Sequence, residues 1–271
     1  MSATSASAPR GARRSGGALV ISQVRYDGLT FLRNRQGRFF TLALPVLFLI
    51  LLCSIFGNGT VHVPGGTIKE STYYVPGLVA LGVIQASFMS LVISVTTQRE
   101  SGILKRRRST PVPAWVLIAS RALVCVATAI VNAVVLIVIG AVLYGARVPG
   151  RTIPAVIVTI AVGASVFCAL GYALVTAIDS ADSAQPVVQL VMLPLYFISG
   201  VFIPSASIPQ WLTDVANVFP VRHLQQALLK AFNPYTTGAG FAWRDLLIIA
   251  IWGAAGLLIA VRRFGWAPKA R

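Results

Sequence analysis

Acidic residues are scarce in this sequence: seven Asp and Glu stand against 23 Lys and Arg, and charged residues make up only 11% of the 271 residues. Soluble globular domains have about 25% charged residues. With 56% hydrophobic residues and a mean hydropathy of +0.78, the chain has too little polar surface for a soluble domain. Composition therefore indicates a protein of the lipid bilayer.

The net charge of +16 does not indicate nucleic-acid binding. The basic residues gather beside apolar segments and do not alternate with aromatic residues, as they do in many nucleic-acid-binding surfaces. The tendency of cytoplasmic loops of membrane proteins to be basic explains them better. We expect no nucleic-acid partner.

Several chemical motifs are missing. The sequence has no G-x-x-x-x-G-K-[ST] loop, so we expect any ATP to be hydrolysed by another protein. It also has no H-E-x-x-H or G-x-S-x-G motif, which argues against an enzyme. Each of the seven carboxylates lies in a flank or a connection of the apolar segments, whereas ion-coupled carriers usually need one within the membrane. We expect no catalytic residue and no cofactor bound by this chain.

Cysteine and histidine do not suggest a metal site. Cys53, Cys125 and Cys168 all fall in apolar segments without CxxC spacing, and we interpret them as small packing residues. His62 and His223 lie far apart in polar connections. We expect both to be solvated loop residues.

Six segments are long and apolar enough to cross a hydrocarbon core, which takes about 20 helical residues. They show no alternation of polar and apolar residues, so a membrane β-barrel is excluded. The predicted fold is all-α, a polytopic membrane protein with six transmembrane helices. The predicted spans are 39–57, 75–97, 115–143, 153–178, 184–203 and 244–263.

The distribution of Lys and Arg predicts the orientation. With both termini in the cytoplasm, 16 basic residues lie inside and six outside, and Arg121 lies within a span. The positive-inside tendency therefore predicts cytoplasmic N and C termini in the plasma membrane.

Two segments precede the first span. Residues 1–18 are rich in Ser, Ala, Gly and Arg and lack the apolar core of a signal peptide, so we expect a disordered cytoplasmic tail. Residues 19–38 mix apolar and basic residues at an imperfect helical period and predict an amphipathic helix in the membrane interface. The alternative is a simple basic flank of the first span. The transmembrane domain is then residues 39–266.

The region 204–243, between spans five and six, is rich in Pro and has Trp at both ends. Proline interrupts helical hydrogen bonding, and freed carbonyls at membrane depth need protein or water around them. We predict an extracytoplasmic, partly re-entrant hairpin. A simple solvated loop is the alternative.

A few polar residues interrupt the spans. Gln85, Asn132 and Gln189 are candidates to line a pathway, although they can equally bond one helix to another. Arg121 lies about seven residues inside the third span. It is a pathway candidate too, with extension of its side chain to the interface as the alternative.

The connection between spans two and three, residues 98–114, is short and densely charged. Ser101 and Gly102 allow a sharp turn before a basic segment, and Pro111 and Pro113 end any helix there. We predict a short helix between two turns on the cytoplasmic face, where Ile103 and Leu104 can enter a pocket of a soluble partner while the charges fix its register.

The segment 98–112 resembles the signature of permeases of type-2 ABC exporters, close to the daunorubicin-resistance type, usually E-R-E-x-G-[TI]-L-[KE]-x-[LM]-x-[ATS]-[TS]-P. Gln98 and Arg107 depart from that pattern. The segments 193–204, 208–211 and 219–228 are similar to the family's fifth span and outer hairpin.

The resemblance implies a permease that dimerises, with itself or with a paralogous permease, and pairs with two copies of an ABC ATP-binding subunit that uses ATP and Mg. Residues 98–114 would be the coupling helix. The implied ATPase-coupling residues are Arg99, Glu100, Ser101, Gly102, Ile103, Leu104, Lys105, Arg106, Arg107, Thr110 and Pro111.

The leading hypothesis is export of a hydrophobic drug, antibiotic or lipid-like molecule. A polysaccharide or glycolipid exporter of the same architecture, an ion-coupled secondary transporter or channel, and a membrane enzyme or structural anchor are the alternatives.

Overall fold

A computed structural model describes residues 16–33, 35–108, 114–204 and 208–263. Over these residues the chain forms ten helices and one two-stranded antiparallel hairpin. The helices are α1 Gly16–Arg33, α2 Arg35–Phe56, α3 Glu70–Glu100, α4 Ile103–Arg108, α5 Ala114–Tyr144, α6 Ile153–Ala177, α7 Ala181–Ile198, α8 Gln210–Ala216, α9 Pro220–Phe232 and α10 Trp243–Arg263, and the strands are β1 Thr60–Val63 and β2 Gly66–Lys69.

Four helices in the described part of the chain are long and apolar enough to cross a membrane: α3, α5 from Trp115, α6 and α10. Helices also occupy the other two predicted spans, but the apolar part of α2 is only Thr41–Phe56, and α7 begins with a polar first turn. The helical fold class is confirmed. Six spans remain a prediction.

Helix α3 lies at the centre of the bundle. Of its most apolar 18 residues, 78% are buried, and Leu78, Leu81 and Leu91 have almost no exposed surface. It contacts α2, α5, α6 and α9. A π-helical segment, Gln85–Met89, interrupts it near the middle. Because a helix buried on all sides packs best when it is apolar all round, α3 has no polar face.

Helices α6 and α10 pack closely along their length. A Cβ atom at Gly256 would lie 3.1 Å from the backbone nitrogen of Leu170, and one at Gly253 would lie 2.6 Å from a methyl group of Val166. Small residues are what lets apolar helices approach one another in lipid, where burying apolar side chains gains little.

The connection between α2 and α3 contains the strands β1 and β2, which the sequence does not predict. His62 lies on β1 and is exposed, in agreement with its expected solvation. Tyr235, from the connection between α9 and α10, covers the turn of this hairpin, and its hydroxyl donates to the carbonyl of Thr67 at 3.2 Å. Two distant connections are thus joined at one end of the bundle.

The N-terminal prediction is only partly comparable with the structure. Of the predicted tail, residues 1–15 lie outside the described residues, while 16–18 already belong to α1. Residues 35–38, which the sequence places in the interfacial helix, instead begin α2. The interfacial position of residues 19–33 stays a prediction.

Candidate functional site

The charged segment between α3 and α5 forms a tight turn followed by the short helix α4. Helix α3 ends at Glu100, and Gly102 adopts a φ of +73°, a left-handed conformation that favours glycine. The backbone nitrogen of Arg106 then donates to the carbonyl of Gly102 at 3.2 Å as α4 begins. Thr110 and Pro111, predicted to belong to the same site, lie outside the described residues.

Arg99 is buried, with 3% of its surface exposed. Its Nη1 donates to the carbonyl of Val175 at 3.0 Å, and its Nη2 donates to those of Ile178 at 2.6 Å and Asp179 at 3.3 Å. These carbonyls belong to the end of α6, where the helix leaves acceptors unpaired and where the macrodipole favours a cation. Arg99 therefore fastens the end of α3 to the end of α6.

Glu100 makes the matching contact to the next helix. Its Oε2 accepts from the backbone nitrogen of Ala181 at 2.9 Å, in the first turn of α7. The hydroxyl of Ser180 caps the same turn by accepting from the nitrogen of Ser183 at 3.3 Å. A carboxylate at a helix N-terminus satisfies a free N–H group and complements the dipole. The two adjacent charges of α3 thus bind both sides of the α6–α7 connection.

Helix α4 has an inner and an outer side. Leu104 is buried at 6% exposure, whereas Ile103 is 43% exposed and the side chains of Lys105 and Arg106 are also exposed. The sequence assigns both Ile103 and Leu104 to a partner's pocket. In the structure Leu104 packs into the core of its own chain and is not available to a partner's pocket. The exposed side chains of α4 are Ile103, Lys105 and Arg106.

Replacing Arg99 with Ala should destabilise the fold by about 2 to 3 kcal/mol, because buried carbonyls lose their charged donor. Thermal unfolding of the purified chain in detergent measures this change. Lys105→Ala, an exposed cation on α4, is the matched control and should leave the unfolding temperature within error. Equal effects of the two substitutions would contradict the fastening role of Arg99.

The four pathway candidates differ in their surroundings. Asn132 is buried and its Nδ2 donates to the carbonyl of Thr41 at 3.1 Å, so it bonds α5 to α2, as the alternative reading expects. Gln85 is buried at the start of the π-helical segment, Gln189 is exposed on α7, and Arg121 is partly buried. Their role in a pathway stays a prediction.

A buried carboxylate lies between α1 and α5. Asp27 is 3% exposed, and its two oxygens accept from Gln23 Nε2 at 3.3 Å and Ser120 Oγ at 3.2 Å. The sequence places Asp27 among the polar residues of the predicted interfacial helix and indicates no partner for it. Its single acidic charge among the arginines of α1 was the available signal.

Helix α9 contradicts the alternative of a solvated loop for residues 204–243. Ten of its 13 residues are buried, among them Val221, Leu224 and Leu228, and it contacts α3, α6 and α10. At the two ends of the region, Pro204 is half-buried and Trp243 is exposed. The sequence predicts this element as re-entrant, and the depth of α9 in the bilayer stays a prediction.

The expectation that His223 is a solvated loop residue is wrong. His223 lies on α9 with 5% exposure, its Nδ1 is 2.7 Å from Asp245 Oδ1, and its Nε2 is 2.8 Å from the carbonyl of Asn217. A carboxylate and a carbonyl are both acceptors, so these two contacts favour a ring that donates from both nitrogens. The bond with Asp245 therefore raises the pKa of His223 above its usual value, against the opposing effect of burial.

The stability due to His223 should depend on pH. A raised native pKa means that the contribution is complete below pH of about 6.5 and is lost as the pH rises through the native value. The difference in unfolding temperature between the wild type and His223→Gln should shrink from pH 6 to pH 9. His62→Gln, which changes an exposed histidine, should show no such trend; a difference for H223Q that is constant with pH would refute the charged state.

Four long apolar helices joined by polar connections are typical of a multi-pass membrane protein. A family model described as ABC-2 type transporter matches residues 20–233. The chain therefore belongs to the ABC-2 type transporter family, as its membrane permease component, which lacks ATPase activity. Permeases of this family pair with ATP-binding subunits. No curated protein matches the sequence at a significant level.

The matched range includes α4 and α9, so both candidate regions lie within the family domain. The resemblance noted in the sequence is confirmed at the level of the family. Because the chain is a transport permease, the alternatives of a membrane enzyme and of a structural anchor are wrong.

Proposed function

We propose that this chain is the membrane-spanning subunit of an ATP-driven exporter of the drug-resistance type, and that α4 is the element on which the ATP-binding subunit acts. The observation that carries the proposal is the pair of contacts made by Arg99 and Glu100. They tie the base of α4 to the end of α6 and the start of α7. A force applied to α4 is thereby passed to three long helices at once.

The predicted coupling residues divide by their surroundings. Ile103, Lys105 and Arg106 are exposed and would contact the ATP-binding subunit. Arg99, Glu100 and Leu104 are engaged within the chain and would transmit its movement. Ser101 and Gly102 form the turn between the two sets, and Arg107, Thr110 and Pro111 complete the predicted segment.

The ATP-binding subunit would supply the chemistry. Two copies would bind ATP and Mg, and their closure would rock two permease chains between inward-open and outward-open states. The permease pair would be a homodimer or a dimer with a paralogous permease. The sequence has no phosphate-binding loop. The permease would therefore receive the energy of ATP hydrolysis only through the movement of the ATP-binding subunit.

The proposed topology has six spans with both termini in the cytoplasm, α4 on the inner face and α9 as a re-entrant helix near the outer face. The excess of basic residues on the α4 side supports this orientation. Helix α2 and helix α7 supply the two spans beyond the four longest apolar helices.

The proposed cargo is a hydrophobic drug, antibiotic or lipid-like molecule. The likeness of residues 98–112 to drug-resistance permeases supports this class. A polysaccharide or glycolipid exporter of the same architecture is the rival. Growth of a host producing the permease with its ATP-binding subunit, on a panel of hydrophobic antibiotics, separates the two; unchanged sensitivity to the whole panel would oppose drug export.

Reversing the charge of the exposed face of α4 tests the docking proposal. The double substitution Lys105→Glu and Arg106→Glu should abolish co-purification of the ATP-binding subunit with the tagged permease, since charges at an interface set register and partner choice. Arg262→Glu, an exposed cation at the end of α10, is the control and should retain it. Retention of the subunit by the double variant would rule out α4 as the docking helix.

Cysteine labelling tests the topology. In a chain whose three buried cysteines are replaced by alanine, a membrane-impermeant maleimide added to intact cells should label cysteine at Thr67 or Thr237 and not at Ser101, because only the first two are proposed to lie outside. All three side chains are exposed, and Thr237 avoids the positive φ of neighbouring Gly238. Labelling at Ser101 alone would reverse the orientation.

A further inference from the structure

The π-helical segment Gln85–Met89 divides α3 into two parts. The first half, Glu70–Ile84, and the second half, Ser90–Glu100, are α-helical. At the end of the segment the backbone nitrogen of Ser90 donates to the carbonyl of Gln85, five residues before it, whereas an α-helical bond joins residues four apart. The π-helical turn therefore holds one residue more than an α-helical turn. Such turns are rare, and they are one of the few causes of kinks in long helices.

A serine within this segment also bonds to the backbone of α3. Ser87 is fully buried, and its hydroxyl donates to the carbonyl of Val83, four residues earlier. Serine side chains that bond in this way slightly weaken a helix and often bend it. Both features of this turn lower the resistance of α3 to bending.

The two halves of α3 pack against different helices. The first half contacts α2, α5 and α9, while the second half contacts α4 and α7. Helix α6 runs beside both halves and beside the π-helical segment. A bend at this segment would therefore let the second half move together with α4 and α7, while the first half stays with α2, α5 and α9.

Each half is also fastened to its own neighbours. The amide of Asn132 on α5 lies so close to Gly82 in the first half that it leaves no room for a Cβ atom there, and the same amide donates to the carbonyl of Thr41 on α2. In the second half, Arg99 and Glu100 bind the end of α6 and the start of α7. The π-helical segment thus lies between two fastened parts of the same helix.

Helix α6 presents a glycine to this part of α3. A Cβ atom at Gly171 would lie 3.1 Å from a methyl carbon of Leu91 and 3.5 Å from the carbonyl oxygen of Phe88. The ring of Phe88 meets that of Phe167 edge-on, with their centroids 6.3 Å apart. Because a small residue lets two helix backbones lie close together without interlocking side chains, the segment can shift along α6 at this point.

We propose that Gln85–Met89 is the hinge of α3, at which the second half swings together with α4 relative to the first half. Hinges are short segments that absorb a change in backbone angles between two more rigid parts. The end of the bundle that carries α4 can then change shape while the end that carries the hairpin β1–β2 keeps its own. The inference rests on the proposed function for the force that moves α4, and on the structure of α3 for the place where it bends.

Hydrogen exchange of the purified chain in detergent tests the hinge without the ATP-binding subunit. The backbone amides of residues 86–91 should exchange about tenfold faster than those of 78–82 and 92–96, because a weaker local structure opens at a lower free energy. Deletion of Ala86 removes the extra residue of the π-helical turn and should abolish this difference. Ala86→Gly keeps the number of residues and should retain it. Equal protection of the segment and its flanks in the wild type would overturn the hinge.

ATP hydrolysis by the complex with the ATP-binding subunit tests what the hinge does. Deletion of Ala86 should leave co-purification of the subunit intact and lower its hydrolysis rate by about tenfold, because a straight α3 opposes the movement of α4. Ala86→Gly should hydrolyse ATP at the wild-type rate. Undiminished hydrolysis by the deletion variant would overturn the proposal. A wild-type chain that does not retain the subunit would contradict the proposed function instead, and the exchange rates would still decide the hinge.

Gly171→Ala provides a second variant in case the deletion prevents folding. The added methyl group would press on Leu91 and on the carbonyl of Phe88, so it should hinder the swing and lower ATP hydrolysis while the subunit stays bound. Ser165→Ala, on the exposed side of α6, is the matched control and should leave the rate unchanged. A wild-type rate in G171A would count against the hinge.

Discussion

Helix ends that lie away from water must have their backbone groups paired, and this requirement organises the molecule. Arg99 meets it for the buried carbonyls at the end of α6, and Glu100 pairs with an N–H group at the more exposed start of α7. Because both residues end α3, the most buried of the four long apolar helices, the same bonds that satisfy two helix ends also fix α4 in position. Stability and, in the proposed function, the transmission of movement from α4 therefore depend on the same two side chains.

The long helices could be predicted from composition and length alone, since spans such as 115–143 and 153–178 agree with α5 and α6 within a residue or two at each end. Local chemistry was enough there, because runs of apolar residues of this length have few alternatives to a membrane helix. The hairpin β1–β2 could not be predicted this way, since its strands are only four residues each and its partner Tyr235 lies far along the chain.

The structure of the charged turn could be predicted only in part. Its position and its short helix follow from Gly102 and the charge pattern, but the sequence gives no means of knowing that Arg99 faces inwards while Lys105 faces outwards. The same limit applies to His223 and Asp245, which are 22 residues apart and meet only because α9 folds back against α10. Side-chain partners across helices depend on packing, which one sequence read residue by residue does not contain.

The contact between Tyr235 and the hairpin β1–β2 has a mechanical consequence. Asn233 strengthens it by donating its Nδ2 to the carbonyl of Pro64 at 2.9 Å. The connection after α2 and the connection after α9 are thereby clasped together, so that they shift as one body and not independently. If this end of the bundle opens during the proposed transport cycle, we expect the opening to take place between helices outside the clasp.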